Sequence, residues 1–300
     1  MGLLPSHSVS SSGSPPAPSS PRRPSAPYTP SVKLLALCFV PVILWLLLFT
    51  CGVALIPDEK RPTINVTLLP FLDKHVFLSS HTWFPSSNTS TISSVLDLVA
   101  AVPYTVHPLL PFAFLTVSLP SRVRRAKLPV FILAFGTMNL AAVCTHLTFP
   151  TAPPWYYIKH GVQPANYSMK GDPAILARLD QRYNMQLYHN MYAKGGKVVF
   201  GAWPSLHAAW PYLIARFPSH FPSLLARVLW LYALLVWWAA IYLRHHYLAD
   251  IVGAILFAEI ALRVAMFVIR SWGDDHLQED LCTCKSQQRQ CFILPYFRRL

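Results

Sequence analysis

An all-α, polytopic membrane helix bundle of about six transmembrane helices is what this chain predicts, on three observations. Of its 300 residues 53% are hydrophobic and only 12% charged, where a soluble domain carries about 25% charged residues. The apolar residues gather into runs long enough to cross a hydrocarbon core of about 30 Å. The net charge of +13 is unevenly spread, with a compact basic cluster, Ser121-Arg-Val-Arg-Arg-Ala-Lys127, between two such runs. In a membrane protein that charge points to cytoplasmic loops and anionic lipid. No nucleic-acid-binding motif accompanies it, so no nucleic-acid partner is expected.

Taken in order, residues 1–30 are rich in Ser and Pro and cannot bury a core, which predicts a disordered tail. The first span is 32–56; it is long enough to stay as an anchor, no cleavable signal peptide is expected, and Pro41 is tolerable inside it. Residues 57–91 are polar and hold two N-glycosylation sequons, Asn65-Val-Thr and Asn88-Thr-Ser. The second span, 92–118, contains Asp97 and His107 and should kink at Pro103, Pro108 and Pro111. The third is 129–149. Residues 150–202 are polar again, with a third sequon, Asn166-Tyr-Ser. A short fourth span, 203–217, and an Arg-flanked turn lead to the fifth, 228–243. Arg244-His-His-Tyr247 connects it to the sixth, 248–269, inside which Glu259 and Arg263 are spaced to pair. Residues 271–300 form a second polar tail. Six cysteines (Cys38, Cys51, Cys144, Cys282, Cys284, Cys291) lack zinc-site spacing, so no metal is expected.

Orientation follows from the basic loop at 121–127, since short Lys/Arg-rich loops stay cytoplasmic. Counting spans outward puts both tails on that side. Residues 57–91, 150–202 and 244–247, with all three sequons, fall on the other. For a Golgi or endoplasmic-reticulum protein that other side is the lumen.

His207 and His246, at the mouths of spans four and six, fall there too. His246 and Asp250 are four residues apart; in a first helical turn both would share one face. The carboxylate would then fix one ring nitrogen and leave the other as a nucleophile. His207 would supply a proton to a departing oxygen. Ser205, in Pro204-Ser-Leu-His207, sits where a helix start can hold a phosphate oxygen, with Pro204 suited to the first turn. His245 would point about 100° away from His246 on a helix. Lys159, Lys170, Arg178, Arg182, Lys194, Lys197 and Arg244 are the cations on this side, Arg244 the best placed. Trp155 and Tyr156 read equally as interfacial anchors or as a headgroup wall.

Pro204–His207 and Tyr242–Asp250 resemble the type 2 phosphatidic acid phosphatase superfamily over roughly residues 130–270. Leu206 stands where that pattern has Gly, Ala240 where it has Arg, and its Lys-x6-Arg-Pro segment is missing. Those departures resemble one branch, the fungal inositol phosphorylceramide synthases and inositolphosphotransferases. The branch motifs are matched by Ala152-Pro-Pro-Trp-Tyr156, by Gly201-Ala-Trp-Pro-Ser-Leu-His207, and by Tyr242-Leu-Arg-His-His-Tyr-Leu-Ala-Asp250. The resemblance implies a type 2 phosphatidic acid phosphatase-like bundle, with residues 31–270 as the transmembrane catalytic domain between two cytoplasmic tails. It implies phosphoinositol transfer from phosphatidylinositol to ceramide through a phosphohistidine at His246. Asp250 would orient that ring, and His207 would act as acid and then base. Ser205, Arg244, Trp155, Tyr156 and Lys197 would line the substrate, with no cofactor and room for a regulatory subunit. A lipid phosphate phosphatase of the same fold, or a transferase with another sphingolipid acceptor, is the alternative.

Overall fold

A computed structural model describes residues 30–77, 91–193, 198–217 and 222–272, without the side chains of 91–92 and 122–123. Residues 1–29 and 273–300 of the two expected tails, with Asn88, Lys194 and Lys197, lie outside these residues. Helix α1 (Val32–Leu55) starts at Ser31, whose hydroxyl accepts from the Leu34 N–H, and runs through Pro41. The short α2 (Leu68–His75) follows. Helices α3 (Thr91–Val106) and α4 (Leu110–Ser118) join through a 3₁₀ turn at His107–Leu109. Pro108 and Pro111 open these last two elements, so the second span bends where its prolines remove backbone donors. The basic cluster forms α5 (Arg122–Arg125), and α6 (Leu128–Thr148) follows. Three short helices, α7 (Pro154–His160), α8 (Ala177–Arg182) and α9 (Leu187–Ala193), occupy the polar segment. The chain then enters α10 (Leu206–Ala215), α11 (Ser223–Tyr242) and α12 (Leu248–Trp272). Among the described residues there is no β-strand.

Among the described residues, five helical stretches are long and apolar enough to cross a membrane: 32–55, 93–118, 128–148, 223–242 and 248–272. The expected fourth span, 203–217, is different. Its helix has ten residues, a rise of about 15 Å, because residues 201–205 are extended and pinned to a neighbouring segment. Helix α10 is therefore enclosed, packing on α4, α6, α11 and α12. Helix α6 is the centre of the bundle, with α1 and α12 against it. Phe114, Phe131 and Phe217 pack together at one end, with ring centroids 4.1–5.6 Å apart. Glu259 finds its main partners across the bundle and not along its own helix. It accepts from Tyr212 Oη at 2.7 Å and from the Arg216 guanidinium, while Arg263 stays 3.9 Å away.

At the opposite end, three polar segments are stitched by backbone hydrogen bonds. Asn65 N donates to Pro150 O (2.8 Å) and Ala152 N to Asn65 O (2.9 Å). Thr151 N donates to Phe200 O (2.7 Å) and Ala202 N to Thr151 O (3.3 Å). Ile64, Val66, Ala152, Trp155, Tyr156 and Phe200 form the apolar cluster of this cap. The pinned segment 201–205 is gripped on two sides by glycine contacts. A Cβ at Gly201 would lie 2.9 Å from the His146 ring, and one at Gly253 of α12 would collide with the Trp203 indole.

Gly253→Ala should therefore destabilise the bundle by about 1–3 kcal/mol through overpacking. The melting temperature in detergent should fall for Gly253→Ala and recover in the Gly253→Ala/Trp203→Phe double variant, the coupling expected of residues in contact.

Candidate active site

The C-terminus of α11 sets the position of the two adjacent histidines. Arg244 N donates to Ile241 O (3.0 Å) and His245 N to Ala240 O (3.1 Å), the paired bonds of a Schellman motif. Its left-handed position is occupied by Arg244, at φ 65°, where glycine is usual and another residue costs about 1 kcal/mol. The reversal turns His245 and His246 out of the helix. The Arg244 carbonyl then accepts from Trp155 N at 3.0 Å, which docks the cap motif onto the turn.

Asp250 is the third residue of α12, and its Oδ2 reaches back to the Tyr247 N–H at 2.8 Å. That is the acidic half of a capping box. The same oxygen lies 3.2 Å from His246 Nδ1, which is also 3.1 Å from Ala202 O. His246 is not helical, so its link to Asp250 comes from capping geometry and not from a shared helical face. Both neighbours of Nδ1 are acceptors, so Nδ1 carries the proton and Nε2 the lone pair. His246 Nε2 faces His207 Nδ1 at 3.2 Å, so His207 donates there. His246 and Asp250 are buried, at 6% and 0% exposure, and His207 is half-buried. A lone-pair nitrogen beside a proton-bearing one can attack phosphorus while its neighbour protonates the leaving oxygen.

Ser205, buried, is the N-cap of α10. Its Oγ accepts from Ala208 N at 3.3 Å, and its N–H donates to Asp250 O at 3.2 Å. Pro204 thus stands before the cap and not in the first turn. Trp155 and Tyr156 are buried in the cap cluster, with Tyr156 Oη donating to Gln163 O at 2.8 Å; neither is displayed as an anchor. Among the cations, Lys159 pairs with Asp172, and Lys170 and Arg182 are exposed. Arg178 lies 3.7 Å from Asp97, whose Oδ1 also accepts from Tyr242 Oη at 2.6 Å. The buried Arg244 has its guanidinium lowered from the usual range by desolvation and then by the neighbouring Arg178.

Sequence reasoning missed several supports. His107 and Tyr104, from the kink of the second span, pack on the site. The Tyr104 ring stacks on His207 (4.5 Å, 8°) and on His245 (5.5 Å, 15°), and His107 lies 4.8 Å from His207. His146 Nε2 meets Pro204 O at 3.0 Å behind the pinned segment. Asp73 of α2 accepts from Leu248 N at 3.0 Å and so caps α12. The only available signal was a polar residue inside, or just beside, an apolar run.

His245 is 5% exposed, stacked on Tyr104 and on Tyr192 (4.9 Å, 12°). Burial, with His246 beside it, lowers its pKa to about 3 despite a hydrogen bond to the Pro173 carbonyl. The unfolded chain takes up this proton near 6.5, the folded chain only near 3. This contribution to stability is complete above pH 6.5 and falls by up to about 1.4 kcal/mol per unit as the pH drops from there towards 3. His245→Asn should flatten the stability profile between pH 7 and 5, read by denaturation at each pH.

The family model described as PAP2 superfamily matches residues 69–264. The chain is 38% identical over 221 residues to the inositol phosphorylceramide synthase catalytic subunit of Schizosaccharomyces pombe, covering 73% of this chain and 51% of that one. It is 37% identical over 222 residues to the inositol phosphorylceramide synthase of Candida albicans (71% and 44%). It is 29% identical over 165 residues to the phosphoinositol dihydroceramide synthase of Bacteroides thetaiotaomicron (53% and 52%). The chain spans about half the length of these relatives. No solved structure matches it significantly. The matched stretch runs from the start of α2 into α12 and encloses His207, His246 and Asp250, and on that footing this multi-pass membrane chain belongs to the PAP2 superfamily.

Proposed function

We propose that this chain transfers phosphoinositol from phosphatidylinositol to ceramide, giving inositol phosphorylceramide and diacylglycerol. The site would face the lumen of the Golgi or endoplasmic reticulum. The observation that carries the reading is the 3.2 Å contact between His246 Nε2 and His207 Nδ1, with His246 Nδ1 held by Asp250 and Ala202. The names of the similar synthases supply the substrate class.

The chemistry has two steps at one site. The donor phosphate enters between the two rings and replaces their hydrogen bond. His246 Nε2 attacks phosphorus, the bond to the diacylglycerol oxygen breaks, and His207, entering the step as an imidazolium, gives that oxygen its Nδ1 proton. Asp250 stabilises the positive charge that develops on the His246 ring. The ceramide hydroxyl then yields its proton to His207 and attacks phosphorus, which frees His246. Arg244 and Arg178 are cations suited to the phosphate charge, and Ser205 Oγ keeps a proton to donate to a phosphate oxygen. Trp155 and Tyr156 act through the cap that fixes Arg244. The segment containing Lys197 follows α9, and we retain that lysine as a headgroup contact.

Membranes supplied with labelled phosphatidylinositol and ceramide should form a new inositol phospholipid. His246→Ala should remove about 10⁴-fold or more of the rate, and Asp250→Asn about 10²–10⁴-fold. A phosphatase of the same superfamily would instead release a water-soluble phosphate in wild type. Arg244→Gly separates turn from charge. It relieves the left-handed backbone, so stability should stay within about 1 kcal/mol of wild type, while transfer falls and Arg244→Lys restores part of it.

A further inference from the structure

We infer that Asn166 is an N-linked glycosylation site on the face of the protein that holds the histidines. The acceptor chemistry needs an exposed amide with a hydroxyl two residues on that folds back to it. Both conditions are met in Asn166-Tyr-Ser. Ser168 Oγ donates to Asn166 Oδ1 at 2.6 Å, and Ser168 N donates to the same oxygen at 3.1 Å. Asn166 and Ser168 are exposed, and among the described residues the Asn166 amide nitrogen donates to no group. The middle residue anchors the turn from below. Tyr167 Oη donates to Pro62 O at 2.8 Å, and the Arg61 guanidinium lies 5.5 Å over its ring. The two reacting residues are thereby held outward on a fixed base.

The first sequon is built differently. Asn65 Oδ1 accepts the backbone N–H groups of Thr67 (3.2 Å) and Leu68 (2.8 Å), which caps α2, so it meets the Thr67 backbone and not its hydroxyl. Its neighbours Ile64 and Val66 are buried, and its own backbone is locked to Pro150 and Ala152. The third, Asn88, lies outside the described residues.

Asn166 follows Thr148, the end of α6, by 18 residues (166 − 148), at the end of the bundle where Gly201 meets His146. The basic cluster at 121–127 lies before the start of α6, at its other end. The co-reactant is an oligosaccharide on a polyisoprenoid pyrophosphate. A bond forms between Asn166 Nδ2 and sugar C1, the C1–O bond to pyrophosphate breaks, and the carrier leaves with the bonding pair. Nδ2 releases one proton, and nothing is oxidised or reduced. The inference shares with the proposed function only the luminal orientation of the site.

The test is the full, tagged chain expressed in a eukaryotic cell and treated with peptide-N-glycosidase F. In an Asn88→Gln background the chain should shift by one glycan on a denaturing gel, adding Asn65→Gln should leave that shift, and adding Asn166→Gln or Ser168→Ala should abolish it. Asn166→Gln should keep transfer activity within about twofold, since surface changes away from the site are near neutral. No shift in that background, or a shift there that survives Asn166→Gln, overturns the inference. A Val162→Cys variant in sealed microsomes tells the two proposals apart. Labelling above the parent by an impermeant maleimide only after permeabilisation, with no glycan, sinks the glycan alone. Labelling before permeabilisation overturns the luminal site as well.

Discussion

One N–H group, His246 Nδ1, is held by two acceptors from different parts of the chain, Ala202 O at 3.1 Å and Asp250 Oδ2 at 3.2 Å. Each acceptor is itself fixed. Ala202 hangs on Thr151 through its own N–H, and Asp250 Oδ2 is tied to Tyr247 N as α12 begins. A ring oriented from two sides cannot rotate to present the wrong nitrogen, so its lone pair is directed at His207 before any ligand arrives. The arrangement costs little extra, because a helix start must satisfy its donors in any case. Asp250 performs that duty and orients the histidine with one oxygen.

The same economy explains where the site sits. Inside a bilayer every backbone group must be satisfied within the protein, so irregular segments gather at helix ends or in buried clefts. Here the irregular segments are 61–67, 150–153, 199–205 and 243–247. Two isolated bridges, Asn65 to Thr151 and Thr151 to Gly201, tie the first three together without forming a sheet. The fourth docks through Trp155 N to Arg244 O. The cap is therefore a template that sets the distance between the starts of α10 and α12, which is what brings two imidazoles within 3.2 Å.

Much of this was legible from local patterns, and what was hidden depends on distant partners. The apolar runs announced five spans with ends within a few residues of those found, because a lipid-facing helix must be apolar along its length. The fourth run holds a shorter helix than its apolar length, since Trp203 is pinned to Thr151 and Ser205 is extended before the helix starts. The spacing of His246 and Asp250 pointed to the right pair for an incomplete reason, as a reach-back across a helix start spans the same four residues as a helical turn. Glu259 and Arg263 do pair at 3.9 Å, but the closer partner, Arg216, is 43 residues away and no local spacing shows it. Asp73, Asp97, Tyr104 and His146 carried no motif. Each supports the site through long-range contacts that no window of sequence contains.

Arg244 shows how the missing superfamily cations bear on the reading. A Schellman turn favours glycine at the position where this chain has arginine at φ 65°. Nothing in the backbone bonds of the turn requires a side chain there, so the strain has to be justified by the side chain. That side chain is buried beside Arg178, and the two guanidiniums repel. Asp97 reaches Arg178 at 3.7 Å and is shared with the Tyr242 hydroxyl. That repulsion sits at the end of α11, with Arg244 two residues from His246. An anionic phosphate lowers that energy when it binds. On the proposed function, charges on the turn and on α8 would take the place of the arginine that the superfamily pattern has at Ala240, in keeping with a phosphodiester donor.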